Sequence, residues 1–130
     1  MVDALKDLRL GEKAAFLADR HKIAAAESYL RRALEALFDI GRHILAKGFA
    51  YPATEYKEIA KGLSENKVLV EGETELMRKM AGYRNRMVHF YHEITPVELH
   101  EICLYHLDEI RLLTYKLVQW TKEHQDITIN

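Results

Sequence analysis

Leu76-Met77-Arg78-Lys79-Met80-Ala81-Gly82-Tyr83-Arg84-Asn85-Arg86-Met87-Val88-His89-Phe90-Tyr91 is the stretch on which the fold turns. At about 100° per residue, Leu76, Met77, Met80, Ala81, Tyr83, Met87, Val88, Phe90 and Tyr91 gather on one arc of about 180°, the pattern of a helix with one face against a core. The helix starts near Glu73 and runs to His89 or Tyr91. It must end before Pro96, because proline disfavours helical geometry in the residue ahead of it. Thr95-Pro96-Val97-Glu98 then has the form of a capping box with proline in the first turn. It opens a last helix reaching about His124, with the stripe Leu99, Cys103, His106, Ile110, Leu113, Leu117 and Trp120 at alternating steps of four and three.

Upstream, Ile23, Leu30, Leu34, Leu37, Gly41, Ile44 and Leu45 recur at helical spacing between about Asp19 and Lys47, and Gly48 is the expected stop. Tyr51-Pro52 turns the chain, and Thr54 caps a shorter helix with the stripe Tyr56, Ile59, Ala60 and Leu63. Ser64 to Gly72 reads as a loop around Val68, Leu69 and Val70. Val2 to about Leu10 reads as a short helix interrupted near Gly11. Two prolines and six glycines in 130 residues are too few turn formers for an all-β chain. The expected fold is therefore all-α, an antiparallel bundle of four to five helices forming a single domain over residues 1–130.

With 48% hydrophobic and 30% charged residues, the composition is that of a globular chain that can bury a core without disulfides or a structural metal. Cys103 is the single cysteine, so no intrachain disulfide forms, and a reducing compartment is expected. Nineteen Lys and Arg against twenty Asp and Glu exclude a generally basic nucleic-acid coat; phosphate recognition must come from a local cluster. No apolar run approaches the roughly 18–20 residues that span a bilayer, and the start lacks a signal-peptide layout. A cytoplasmic protein with no membrane partner is expected.

Arg84 falls in the middle of the apolar arc. Arginine is almost never fully buried unless paired, because removing its charge from water costs several kcal/mol. A structural salt bridge is one explanation, but Asn85, Arg86, His89 and Tyr91 crowd the same two turns. Arg84 and His89 are five apart, about 140° around an ideal helix, so they meet only if the helix loosens or if two copies pack across a twofold axis. Phosphodiester cleavage without a metal needs such a pair: a group that moves a proton near neutral pH and a fixed cation for the charge on phosphorus.

Arg84-Asn85-Arg86-Met87-Val88-His89-Phe90-Tyr91 resembles the R-x4-H-x-Y signature of HepT-like toxins, in the HEPN superfamily of small helical ribonucleases. Its place late in the penultimate long helix matches, and Glu35-Ala36-Leu37-Phe38-Asp39-Ile40-Gly41-Arg42-His43 is similar to that family's second helix. The resemblance covers nearly the whole chain. It implies a homodimeric, metal-independent RNA endonuclease, the toxin of a toxin–antitoxin pair, with RNA as substrate and a nucleotidyltransferase as antitoxin. It further implies that the ribose 2′-hydroxyl attacks, that His89 handles the proton and Arg84 the phosphorane, and that Tyr91 accepts AMP. Neither cofactor nor DNA partner is expected.

Asp39 and His43 lie one turn apart, opposite the main apolar stripe; they are solvated surface, or Asp39 crosses to orient Arg84. Arg86 points about 160° from Arg84 and is an RNA-phosphate contact or plain surface charge. Asn85 steadies His89 or caps a frayed helix end. His89, His92 and His100 form the best metal candidate, but no Glu-x-x-His occurs and no metal site is expected. His106 is expected to be a hydrogen-bonded core or interface histidine, and Cys103 a small buried hydrophobe. The alternative function is a non-catalytic module whose cleft binds a nucleotide or the nucleotidyltransferase.

Overall fold

Asp19 starts the longest element of the chain: its carboxylate accepts from the backbone N–H groups of His21 and Lys22, both at 3.1 Å, and so satisfies two orphan donors of the first turn. The computed structural model describes residues 2–7, 12–88 and 94–125. These form seven helices: α1 (Val2–Asp7), α2 (Lys13–Leu17), α3 (Arg20–Phe49), α4 (Tyr56–Glu65), α5 (Glu71–Val88), α6 (Pro96–Tyr105) and α7 (Leu107–Glu123). The fold is all-α, and the described residues contain no strand.

At 30 residues, about 45 Å, α3 is the axis of the bundle and packs against each of the other six helices. Its buried stripe includes Leu30, Leu34, Leu37, Phe38, Ile44 and Leu45. The helix runs past the expected stop at Gly48 and turns on Ala50, which takes the left-handed region at φ 51° while Tyr51 N–H bonds back to Leu45 O at 2.9 Å. Ile59 and Leu63 of α4 and Met77, Met80 and Ala81 of α5 complete one side of the core. Leu99 and Ile102 of α6 and Ile110, Leu113 and Leu117 of α7 complete the other. Cys103 is 6% exposed and burial pushes its thiol up to about 12, so it packs as a hydrophobe and does not act as a thiolate.

Two elements differ from the sequence reading. α2 was not expected; it is five residues long and seats Phe16, fully buried, with its ring 5.0 Å from that of His100. The single final helix is two helices, broken at His106, whose φ of −121° and ψ of 1° leave the helical region. The stripe keeps its period across the break, so periodicity cannot reveal it. Here His106 joins a cluster: its Nδ1 lies 2.8 Å from Glu109 Oε1 and 3.1 Å from Lys79 Nζ, and Lys79 donates to both Glu109 oxygens at 2.9 and 3.2 Å. α5 also begins two residues before Glu73, whose carboxylate accepts from Val70 N–H at 3.0 Å in half of a capping box.

The Lys79–Glu109 pair ties α5 to α7, and an Arg86–Glu98 pair ties it to α6. Burial alone would raise the Glu109 carboxyl, but the hydrogen bonds from Lys79 and His106 hold it below the usual carboxylate range. A carboxylate lowered on folding adds stability above its unfolded value, about pH 4.3, and loses it as pH falls through the folded one. The melting temperature of Glu109→Gln is expected to lie below that of the parent at pH 6, with the gap closing as the pH is taken below about 4. A gap independent of pH would show that the pair contributes nothing through its charge.

Candidate active site

Arg84 leaves α5 toward α3 and α4. Its Nη2 donates to Glu35 Oε2 at 2.9 Å, and its guanidinium carbon sits 5.1 Å from the centroid of the Tyr56 ring. That ring packs in turn on Phe38, centroid to centroid 4.8 Å, and Phe38 is fully buried in α3. A chain of contacts thus runs from the core to the guanidinium and fixes its plane. The Arg84 side chain is only 12% exposed, and its Nε and Nη1 are buried with no hydrogen-bond partner among the described residues. An unmade hydrogen bond to a buried donor costs about 1–3 kcal/mol, more for a charged group, so a purely structural arginine would be expected to use these donors.

Arg84 and Asn85 form one wall of a polar cavity of about 440 Å³, closed by Arg42, Thr54, Glu55, Tyr56 and Lys57. Glu55, the residue ahead of α4, makes no side-chain cap to that helix and lines the same cavity. The lining holds three cations, of which Arg42 is paired with Asp39 and Arg84 with Glu35, and one carboxylate, Glu55. A groove of similar volume, about 430 Å³, between α1, α3 and α7 is mostly apolar and holds Arg111 already bonded to Asp3 at 2.6 Å.

The structure redistributes the residues singled out in the sequence. The carboxylate that reaches Arg84 is Glu35, one turn before Asp39 on the same face of α3; Asp39 is exposed and pairs with Arg42 at 2.7 Å. The crossing of Asp39 to Arg84 is therefore corrected: its side chain is held by its own helix. Both terminal nitrogens of Arg86, a partly exposed side chain, bond Glu98, Nη1 to Oε2 at 2.6 Å. Asn85 lines the cavity beside Arg84. His43 lies with Asp39, Ile40, Val118 and Lys122 at a separate shallow groove. His89, Tyr91 and His92 lie outside the described residues, and among those described no three His, Cys, Asp or Glu side chains converge as a metal set.

Glu35, Tyr56 and Lys57 were missed. Glu35 lies within the α3 stretch quoted for the family resemblance and four residues before Asp39, so helical spacing offered it as an equal candidate. Tyr56 was assigned to the core stripe of α4, which is half of its role.

The chain is thus an all-α bundle with a nearly buried arginine, incompletely satisfied among the described residues, at the wall of a polar cavity. More particularly, the chain belongs to the HepT-like ribonuclease family, whose model, described as ribonuclease HepT-like, matches residues 1–117. Its fold is similar to that of a chain in a crystal structure of a toxin-antitoxin with AMP-PNP, with a TM-score of 0.77 and 20% sequence identity. The match covers 89% of this chain and 88% of that one. Comparison with curated proteins gives no match. No helix among the described residues is long and apolar enough to cross a membrane.

Proposed function

We propose that the protein is a metal-independent RNA endonuclease, the toxin of a toxin–antitoxin pair whose antitoxin is a nucleotidyltransferase, and that it works in the cytoplasm. The observation that carries this reading is Arg84: a guanidinium held by one carboxylate, with two buried nitrogens that have no partner among the described residues, at the wall of a polar cavity. Donors fixed in advance stabilise charge that develops in a transition state far better than solvent can. Family membership supports ribonuclease chemistry, and the likeness to a toxin-antitoxin structure supports an antitoxin partner.

In the proposed reaction the ribose 2′-oxygen bonds to phosphorus and its proton passes to His89. The bond from phosphorus to the 5′-oxygen breaks, and that oxygen takes up a proton. The products are a 2′,3′-cyclic phosphate and a 5′-hydroxyl. Arg84 faces the phosphorane oxygens. Because Arg84 and His89 diverge by about 140° on a straight helix, the site is completed in a homodimer, where the arginine of one protomer meets the histidine of its partner.

Purified protein should cleave RNA with EDTA present and leave cyclic phosphate ends, His89→Ala should not, and light scattering of the active sample should give twice the 15.2 kDa chain mass. Activity that vanishes in EDTA and returns with magnesium, or that resides in a monomer, would overturn the mechanism. Tyr91, which an ideal helix continued from Arg84 would place about 20° away and two turns on, is the proposed AMP acceptor, where phosphate charge and bulk would block RNA from Arg84. Incubated with the nucleotidyltransferase and ATP, the wild type should gain AMP units by mass spectrometry and Tyr91→Phe should not. Equal gain in both would move the modification elsewhere.

A further inference from the structure

A second groove, of about 640 Å³, adjoins the Arg84 cavity and is lined by Lys57, Glu75, Leu76, Arg78, Lys79 and Gly82. Lys57 is common to both linings, so the two spaces meet at the first turn of α4. On α5 the residues Arg78, Gly82 and Asn85 follow at steps of four and three, a stripe of about 10 Å with Lys79 next to its start and Arg84 next to its end in sequence. Together the linings hold five cations: Arg42, Arg84, Arg78 and Lys79 are paired with Asp39, Glu35, Glu75 and Glu109, and Lys57 has no ion pair among the described residues.

Two further observations point to an occupant. Lys57 is exposed and has no ion pair among the described residues, and the pair that holds Arg78, with Glu75, is itself at the surface, where such pairs are weak and readily exchanged. Gly82 lowers the stability of the helix it sits in, yet a Cβ built there would meet nothing within 4 Å, so packing inside the chain does not require a glycine. What the missing side chain does is keep the floor of the groove open between the cations.

We propose that this groove is a flanking subsite for single-stranded RNA: Lys57 and Arg78 hold the phosphate next to the scissile one, and the nucleotide between them lies across Gly82. The identity of the ligand as RNA rests on the ribonuclease reading. A cationic groove that follows the backbone beside an aromatic ring is the usual way single strands are held, and Tyr56 supplies the ring at the cavity end. Lys79 is engaged by Glu109 and takes no part in holding the phosphate. Lys57 and Arg78 are thus positioning residues.

The test is binding of a fluorescein-labelled eight-nucleotide RNA, 2′-O-methylated throughout so that it has no nucleophile, followed by anisotropy over a range of salt. Lys57→Gln and Arg78→Gln should each weaken binding three- to tenfold, and each should lower the slope of log affinity against log salt by about 0.7, the value for one phosphate contact on a single strand. Gly82→Leu should weaken it about tenfold while the melting temperature stays level or rises by a few degrees, which separates groove filling from misfolding. Unchanged affinity and slope in all three variants overturn the subsite even if the protein cleaves RNA. Loss of antitoxin binding with RNA binding intact overturns it too, by giving the groove to the protein partner. If the wild type binds the oligonucleotide through these residues but never cleaves unmodified RNA, the subsite stands and the ribonuclease reading falls.

Discussion

Arg84→Ala should lose RNA cleavage by about 10²-fold to 10³-fold while keeping its fold, the size of effect found when one preorganised charge-stabilising donor is removed. The retention of fold follows from which partner is left behind. Glu35 is 35% exposed and its other oxygen lies 3.8 Å from Arg31, so its carboxylate regains water and keeps a cation when the guanidinium goes. The variant also removes two buried nitrogens that have no partner among the described residues, and with them a desolvation cost of about 1–3 kcal/mol each. A structural arginine behaves in the opposite way: its loss would unfold the bundle. Circular dichroism and thermal melting beside the cleavage assay separate the two, and a collapse in stability matching the loss of activity would make Arg84 a brace for α3 and α5.

The same asymmetry shows why part of the site was legible in the sequence and part was not. Arg84 stood out because a charge at the centre of an apolar arc violates the helical pattern, and violations survive translation into structure. Its partner did not stand out. Glu35 and Asp39 are one turn apart on one face of α3, and the choice between them depends on where α5 crosses α3, a tertiary quantity that spacing along either helix does not contain. Asp39 is then taken by Arg42, three residues on. Lys57 was invisible for another reason: an exposed lysine on a short helix has no local pattern to break, and it matters only because two cavities meet there.

The helices followed a similar rule. Where a cap and a period agree, as at Thr95, whose hydroxyl accepts from Glu98 N–H at 3.2 Å, the start of the element was readable to the residue. The break at His106 was not, because the stripe from Leu99 to Leu117 stays in phase across it and the signal lies in a contact with Lys79, 27 residues upstream. The fold class rested on periodicity alone and needed none of these contacts.

Gly41→Leu should lower the melting temperature by about 10 °C, from about 2–3 kcal/mol of overpacking in a domain of this size. Gly41 lies at a close contact of α3 with α4: a Cβ there would stand 2.8 Å from Ile59 Cγ2 and 3.1 Å from Leu63 Cδ1. Both neighbours are fully buried, and the Ile59 methyl sits on a branched carbon with little rotamer freedom, so side chains cannot absorb the intrusion and α4 must move. That movement reaches the site, because Tyr56 and Lys57 form the first turn of α4 and the Tyr56 ring lies against Arg84. A displacement near 1 Å of a positioning element is enough to cost about 10²-fold in rate, so cleavage measured well below the melting point should fall at least tenfold although the protein is still folded. Calorimetry and the cleavage assay on one preparation read both effects. A variant that melts within 2 °C of the parent would show that the α3–α4 crossing yields without strain. One that melts early but cleaves at the parent rate would show that the place of Tyr56 and Lys57 is not coupled to the packing beneath them.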